Sequence, residues 1–341
     1  MEELDKVADW MTRQGLGDGS VTDVTEITGG TQNILIRFRR DGRDYVFRRG
    51  PRHLRPVSNK VILRETRVLA ALAGSDVPHP RLIAACDDTS VLGDAVFYLM
   101  EPIDGFNAGQ GLPPLHAGSQ EIQHGMGLSM ASSLAKLHAV DYRAVGLDGF
   151  GKPDGFLERQ VPRWSAELES YAALDNYDGH NIPGVDELAA WLRERVPAHW
   201  SPGIMHGDYH AGNVMFSPTG PELVAIVDWE MCTIGDPLLD LGWLLATWPI
   251  PGSDTVLGNP LMAAPGLPSA DELVAEYAGN TSRDLSELQW YTAMACFKSG
   301  VILEGSNARA AGGQASREVG DYLHRAALLL FERGVHVINT N

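Results

Sequence analysis

Two acids and an amide lie close together in His206-Gly207-Asp208-Tyr209-His210-Ala211-Gly212-Asn213 and in Val227-Asp228-Trp229-Glu230. Phosphoryl transfer calls for such a set. A carboxylate orients an attacking hydroxyl and takes its proton, and oxygen ligands hold magnesium against the phosphates. Asp208 suits the first task, Asn213 and Asp228 the second. A lone Asp and Asn at this separation also suit an ordinary loop cap, so the case rests on the order of the pieces and not on one pair.

Further residues fit around this set. His206 is either a general base of a different mechanism or a hydrogen-bonding residue that shapes the loop, and the second role is the better expectation. His210, two positions after Asp208, is placed to neutralise charge on a transferred phosphoryl group. Asp236 and Asp240 border an apolar run, which suits a helix cap and a buried anchor for backbone amides of the Asp208 loop. Glu230 either reaches the metal through water or stays exposed. Upstream, Thr28-Gly29-Gly30-Thr31-Gln32-Asn33 lies between two strand patterns. Glycines there let backbone amides approach a phosphate, and Gly29, Gly30, Thr31 and Asn33 are the candidates; a plain hairpin turn is the alternative. Arg48 at the end of a strand and Glu65 on a helix are candidates for a phosphate-binding cation and the carboxylate that fixes it, or for a purely structural ion pair.

These residues need two kinds of scaffold. Residues from about 21 to 49 alternate apolar and polar, with a turn at Arg40-Asp41-Gly42-Arg43, and read as strands joined by hairpins. Ile62, Val68, Leu69 and Leu72 recur at helical spacing over residues 58–73. Strands follow at 82–86 and 96–100, and then Glu101-Pro102-Ile103-Asp104-Gly105 opens into a loop rich in Gly and Pro. That segment is expected to hinge two lobes, residues 1–104 and 105–341, with backbone groups of Glu101 and Ile103 available to an adenine. Beyond it helices are predicted near 122–140, 186–196, 237–247, 271–278, 285–304 and 316–333, interrupted by a single hairpin of 214–216 with 223–227. Residues 243–258 and 291–307 are expected to wall an acceptor site, with Lys298 and Glu304 as polar candidates there.

His206-Gly207-Asp208 with Asn213, a short hairpin, Asp228, and then Gly235-Asp236-Pro237 with Asp240-Leu241 together resemble the aminoglycoside phosphotransferase and choline kinase family. Four residues separate Asp208 from Asn213, the spacing of base and metal ligand in kinase catalytic loops. The resemblance implies an α+β, two-lobe protein-kinase-like fold, with an N-terminal antiparallel sheet plus helix and a mainly helical C-terminal lobe. It also implies Asp208 as catalytic base and Asn213 with Asp228 as ligands of Mg2+ beside ATP. Arg48 stands where protein kinases carry Lys; it keeps the charge and changes the geometry. Leu134-Ala135-Lys136-Leu137-His138-Ala139-Val140-Asp141 and Leu157-Glu158-Arg159-Gln160 with Trp164 resemble a branch related to kinase domains fused to acyl-CoA dehydrogenases. That branch suggests a hydroxy acid or hydroxyacyl thioester as the acceptor, where the wider family suggests an aminoglycoside. A nucleotide sensor without transfer activity would more readily have lost Asp208, Asn213 or Asp228. A metal-dependent phosphohydrolase would leave the glycine segment and hinge unexplained.

Bulk properties narrow the partners. At 341 residues the chain is about right for two lobes around a cleft. With 27 basic against 44 acidic residues, its net charge of −17 opposes broad contact with nucleic acid or anionic lipid, leaving a small-molecule hydroxyl acceptor as the expected partner. Cys86, Cys232 and Cys296 lack disulfide or zinc spacing. The start of the chain has no apolar signal core and no later run reaches about 18 apolar residues, so a cytoplasmic, soluble protein is expected.

Overall fold

The alternating segment folds as a five-stranded antiparallel sheet. In this computed structural model, which describes residues 2–27, 33–177, 179, 181–253, 255, 256 and 258–340, helix α1 (Glu2–Arg13) precedes strands β1 (Thr22–Glu26), β2 (Ile34–Arg40) and β3 (Arg43–Arg49). Helix α2 (Ser58–Leu72), β4 (Leu82–Cys86) and β5 (Phe97–Met100) follow. The strand order is β1-β2-β3-β5-β4, antiparallel at every step. Asp41 and Gly42, at φ +50° and +77°, form the tight turn between β2 and β3, the left-handed pair that matches strand twist.

Period two gives each face of the sheet its own partner. Tyr45 and Phe47 of β3 and Phe97 and Leu99 of β5 pack under Leu4, Val7, Trp10 and Met11 of α1. Val46, Tyr98 and Met100 face the other way, onto Ile62, Val68, Leu69 and Leu72 of α2. Each such buried side chain contributes roughly 1.5–3 kcal/mol. Arg48 is in the same alternation as Val46, so it is delivered to the α2 side, where Glu65 waits on the buried face of the helix.

Beyond residue 105 helices dominate: α3 (Pro114–Ala117), α4 (Gln120–Ala139), α5 (Gln160–Ser170) and α6 (Val185–Glu194), then α7 (Leu238–Thr247), α8 (Ala270–Gly279), α9 (Leu288–Ala311) and α10 (Arg317–Asn339). Between α6 and α7 lie β6 (Gly203–Met205), β7 (Val214–Phe216), β8 (Leu223–Ile226) and β9 (Thr233–Gly235). The expectation of a single hairpin here needs correction: β7 pairs β8 as read from the turn at 217–220, but β6 also pairs β9. Strands of three residues, far apart in sequence, carry no periodic signal. The short helix α3 and helix α5, with Pro162 in its first turn, were likewise outside the expected helix set.

Two arginines tie α2 to the helical part. Arg64 donates to the carbonyls of Phe150 and Cys232, each at 3.1 Å, and its guanidinium lies 3.9 Å over the Phe150 ring. Arg67 donates to the carbonyls of Gly146 and Asp148 at 3.0 Å. Among the described residues no helix is long and apolar enough to cross a membrane.

Candidate active site

The loop between β6 and β7 carries His206 to Asn213, and buried side chains fix its shape. Asp240 projects from the first turn of α7, 1% exposed. Its two oxygens accept from the backbone N–H of His206 at 2.6 Å and of Gly207 at 2.8 Å. Bonds from amides to an ionised acceptor are strong ones, so Asp240 anchors the turn, as its sequence context suggested. Asp236 accepts from Leu238 N–H and from the Tyr291 hydroxyl, and so starts α7 in place. His206 is wholly buried; its Nδ1 accepts from the Asp208 N–H, which leaves Nε2–H to donate to the Val227 carbonyl at 2.9 Å. The ring therefore pins the Asp208 turn to the residue before Asp228, a structural task. Gly207 sits at φ +86°, and a Cβ there would lie 2.5 Å from the Met231 carbonyl oxygen. Only glycine fits this turn.

Asp208 then stands partly open, its side chain 34% exposed. Asn213 donates through Nδ2 to the Asp208 carbonyl at 3.0 Å and to Oδ2 at 2.9 Å. That fixes the amide orientation and leaves Oδ1 as the atom able to face a cation. His210 folds back on its own loop: Nδ1 accepts from Gly212 N–H at 3.0 Å, and Nε2 is 3.5 Å from Asp208 Oδ2. Burial pushes the Asp208 carboxyl up, but hydrogen bonding and charge from His210, with the charges of His206 and Lys298, outweigh it and hold the group at about 2. It is ionised throughout the physiological range.

Asp228 ends the segment after β8 in the left-handed region, at φ +65°, a strained setting for a non-glycine residue. Its Oδ1 accepts from Arg48 Nη2 at 2.9 Å. The same guanidinium donates to both oxygens of Glu65, at 2.9 and 2.6 Å, and Tyr98 O–H donates to Glu65 at 3.2 Å. One arginine thus joins sheet, α2 and the Asp228 turn. Neither the reach to Asp228, 180 positions away, nor Tyr98 was anticipated; Tyr98 had a signal, since it shares the Met100 face of β5. Glu230 is exposed, yet partial burial and the nearby charges of Asp228 and Glu65 raise its carboxyl above the ordinary value, so it stands beside the site.

A cleft of about 720 Å³ is lined by Arg48, Asn213 and Asp228 together with Glu101 and the apolar Leu35, Val46, Met100, Ile103, Met215 and Val227. Glu101 uses its N–H on the Arg81 carbonyl and its carboxylate on Arg43. Among the described residues its carbonyl and the Ile103 N–H have no protein partner. Asn33 is half-buried ahead of β2; Gly29, Gly30 and Thr31 lie outside the described residues. An amide oxygen and a half-exposed carboxylate, with room for phosphates between, suit magnesium, which takes few protein ligands. Lys298 reaches the loop from α9 and donates to the Gly207 carbonyl at 3.1 Å, whereas Glu304 is buried and held by Tyr177, Asn307 and His324, away from any open wall. His138, bonded to Tyr277 and Asp240, and Trp164 are core residues.

The sequence profile of a phosphotransferase enzyme family matches residues 23–273. The chain is 31% identical over 323 residues, 92% of its length, to acyl-CoA dehydrogenase family member 11 of Gallus gallus, and spans 40% of that protein. Across the vertebrate relatives of this kind it spans 27% to 40% of their length. A crystal structure from Ralstonia eutropha JMP134, described as that of a candidate aminoglycoside phosphotransferase, superposes with a TM-score of 0.78 at 30% identity, covering 97% of this chain and 98% of the other. The aminoglycoside phosphotransferase APH(4)-Ia, in ternary complex with AMP-PNP and hygromycin B, shares the fold at a TM-score of 0.58 and 14% identity, covering 94% and 98%.

Proposed function

The chain belongs to the phosphotransferase enzyme family, and on that premise we propose that it is a magnesium-dependent kinase that moves the γ-phosphoryl group of ATP to a hydroxyl of a small molecule. The observation that carries this reading is one cleft lined by Asn213 and Asp228 together with Glu101 and Ile103, with Asp208 held against Asn213 beside it. Adenine sits between the Glu101 carbonyl and Ile103 N–H and the apolar wall of Val46, Met100 and Met215. The phosphates run toward Arg48, which Glu65 holds in place.

Magnesium, when bound to Asn213 and Asp228, neutralises charge on the phosphates. Asp208 accepts a hydrogen bond from the acceptor hydroxyl and aligns its oxygen with the γ-phosphorus, receiving the proton as the new P–O bond forms and the bond to the ADP oxygen breaks. His210 and Asn213 hold the Asp208 carboxylate at the required angle. Gly29, Gly30, Thr31 and Asn33 are proposed as the segment that contacts the phosphates, of which only Asn33 is among the described residues. The same reading divides the chain into a nucleotide lobe, residues 1–104, and an acceptor lobe, residues 105–341, working in the cytoplasm. Likeness to the acyl-CoA dehydrogenase relatives favours a hydroxy acid or hydroxyacyl-CoA acceptor over an aminoglycoside.

The test is ADP release from Mg-ATP across aminoglycosides, choline, hydroxy acids and hydroxyacyl-CoA thioesters, with Asp208→Asn as control. Acceptor-dependent release that disappears in the control supports the kinase. Nucleotide binding with no acceptor dependence across the panel points instead to a nucleotide sensor.

A further inference from the structure

Asn107 ties the linker that follows Ile103 to the loop that carries Asn213. It lines the cleft beside Gly212 and Asn213. Its Nδ2 donates to the Gly212 carbonyl at 2.6 Å, and its Oδ1 accepts from the Gly109 N–H at 2.7 Å. The donor meets an acceptor and the acceptor a donor, so only one orientation of the amide fits. The residue before it is stitched to the β7–β8 hairpin: Phe106 N–H donates to the Phe216 carbonyl at 3.0 Å, and Phe216 N–H to the Phe106 carbonyl at 2.9 Å. Linker and loop come close here, for a Cβ at Gly109 would lie 2.9 Å from Asn107 Oδ1 and 3.4 Å from the Gly212 Cα.

The carbonyl that Asn107 holds gives this contact its consequence. Gly212 C=O and Asn213 N–H belong to one planar peptide group. The carbonyl is taken by Asn107, and the N–H donates to the His210 carbonyl at 2.9 Å. The plane is therefore fixed from both sides, and with it the direction in which the Asn213 side chain leaves the backbone. Groups that stand behind a metal ligand set its aim and are felt in metal affinity. We propose that Asn107 is a positioning residue for the metal site: it orients the peptide that presents Asn213, and so makes magnesium binding depend on the linker that follows the adenine-binding backbone. This rests on the kinase reading above, in which Asn213 is a magnesium ligand. With Nδ2 and Oδ1 each engaged by backbone, the effect of Asn107 on the metal passes through the Gly212–Asn213 peptide.

The experiment is calorimetric titration with AMPPNP, in Mg2+ and in EDTA, and with adenosine. The proteins are the wild type, Asn107→Leu, Asn107→Ala, Asn213→Ala and the double variant Asn107→Ala with Asn213→Ala. Magnesium should tighten AMPPNP binding in the wild type. Each Asn107 variant should lose about tenfold of that gain and keep its adenosine affinity within about twofold. Leu keeps the bulk of the side chain and Ala removes it, so a folding defect in one leaves the other to decide. In the double variant the magnesium gain should equal that of Asn213→Ala alone, because Asn107 acts through that residue. A full magnesium gain in the Asn107 variants overturns the proposal, as do additive losses in the double variant. Adenosine weakened to the same degree as Mg-AMPPNP also overturns it, since Asn107 would then serve the linker alone. No magnesium gain in the wild type would strike the kinase reading itself and this proposal with it.

Discussion

A carboxylate whose acid form exists only near pH 2 is a weak sink for a proton and a firm clamp for a hydroxyl. Asp208→Asn should therefore keep nucleotide affinity while turnover falls by at least about a hundredfold, measured as acceptor-dependent ADP release. The sign of its pH effect follows from the depressed value. The ionised group stabilises the fold above its unfolded value near 3.8, and that contribution is lost only as pH falls through about 2. In kcat profiles between about pH 5 and 9, no acid limb should belong to Asp208; a limb removed by Asp208→Glu would contradict this. That Asp208 and Asn213 stand side by side was legible from their spacing in one loop. The Arg48 contact with Asp228 was not, since only the folded chain brings those residues together.

Helix α2 shows what elements add. Its apolar spacing announced a helix and placed Glu65 among buried residues, but nothing in that periodicity reveals that Arg64 and Arg67 bond carbonyls of the helical part. With those clamps α2 is held at both of its faces, and Glu65 is kept in line with Arg48. Arg64→Ala should speed amide exchange along α2 and cost about 1–2 kcal/mol in urea unfolding. Glu65→Ala strands a buried guanidinium and should cost about 3 kcal/mol, at the low end for a broken buried pair because Asp228 still partners it. In the turn before Asp208, Gly207→Ala should destabilise by about 2 kcal/mol or more and abolish transfer, read by unfolding and ADP release together. The paired strands β6 and β9 hold this turn, and their three-residue length explains why the sequence pattern missed them.

At the scale of the whole molecule, two lobes were visible as a change of periodicity near residue 105, and the structure makes that change a sheet ending at Met100 and helices beginning at Pro114. The cleft between them needed three dimensions, because its walls come from β2, β3, β5 and the β7–β8 hairpin at once. Saturating Mg-ATP, near a hundredfold above Kd, should stabilise the folded chain by about 2.7 kcal/mol, seen as a rise in Tm.

Arg48 gives that binding a thermodynamic character of its own. Its guanidinium is the counterion of Asp228 as well as of Glu65. One guanidinium shared by two carboxylates leaves a net negative charge at that end of the cleft, and a divalent cation bound at Asp228 would take the arginine's place there and free it for phosphate. Metal and nucleotide each vacate what the other needs, so each should tighten the binding of the other, and free ATP or free magnesium alone should bind poorly. Titrating ATP with and without magnesium, in the wild type and in Arg48→Lys, would show the coupling as a shared shift in both affinities; independent affinities would mean that the resting ion pair is a bystander.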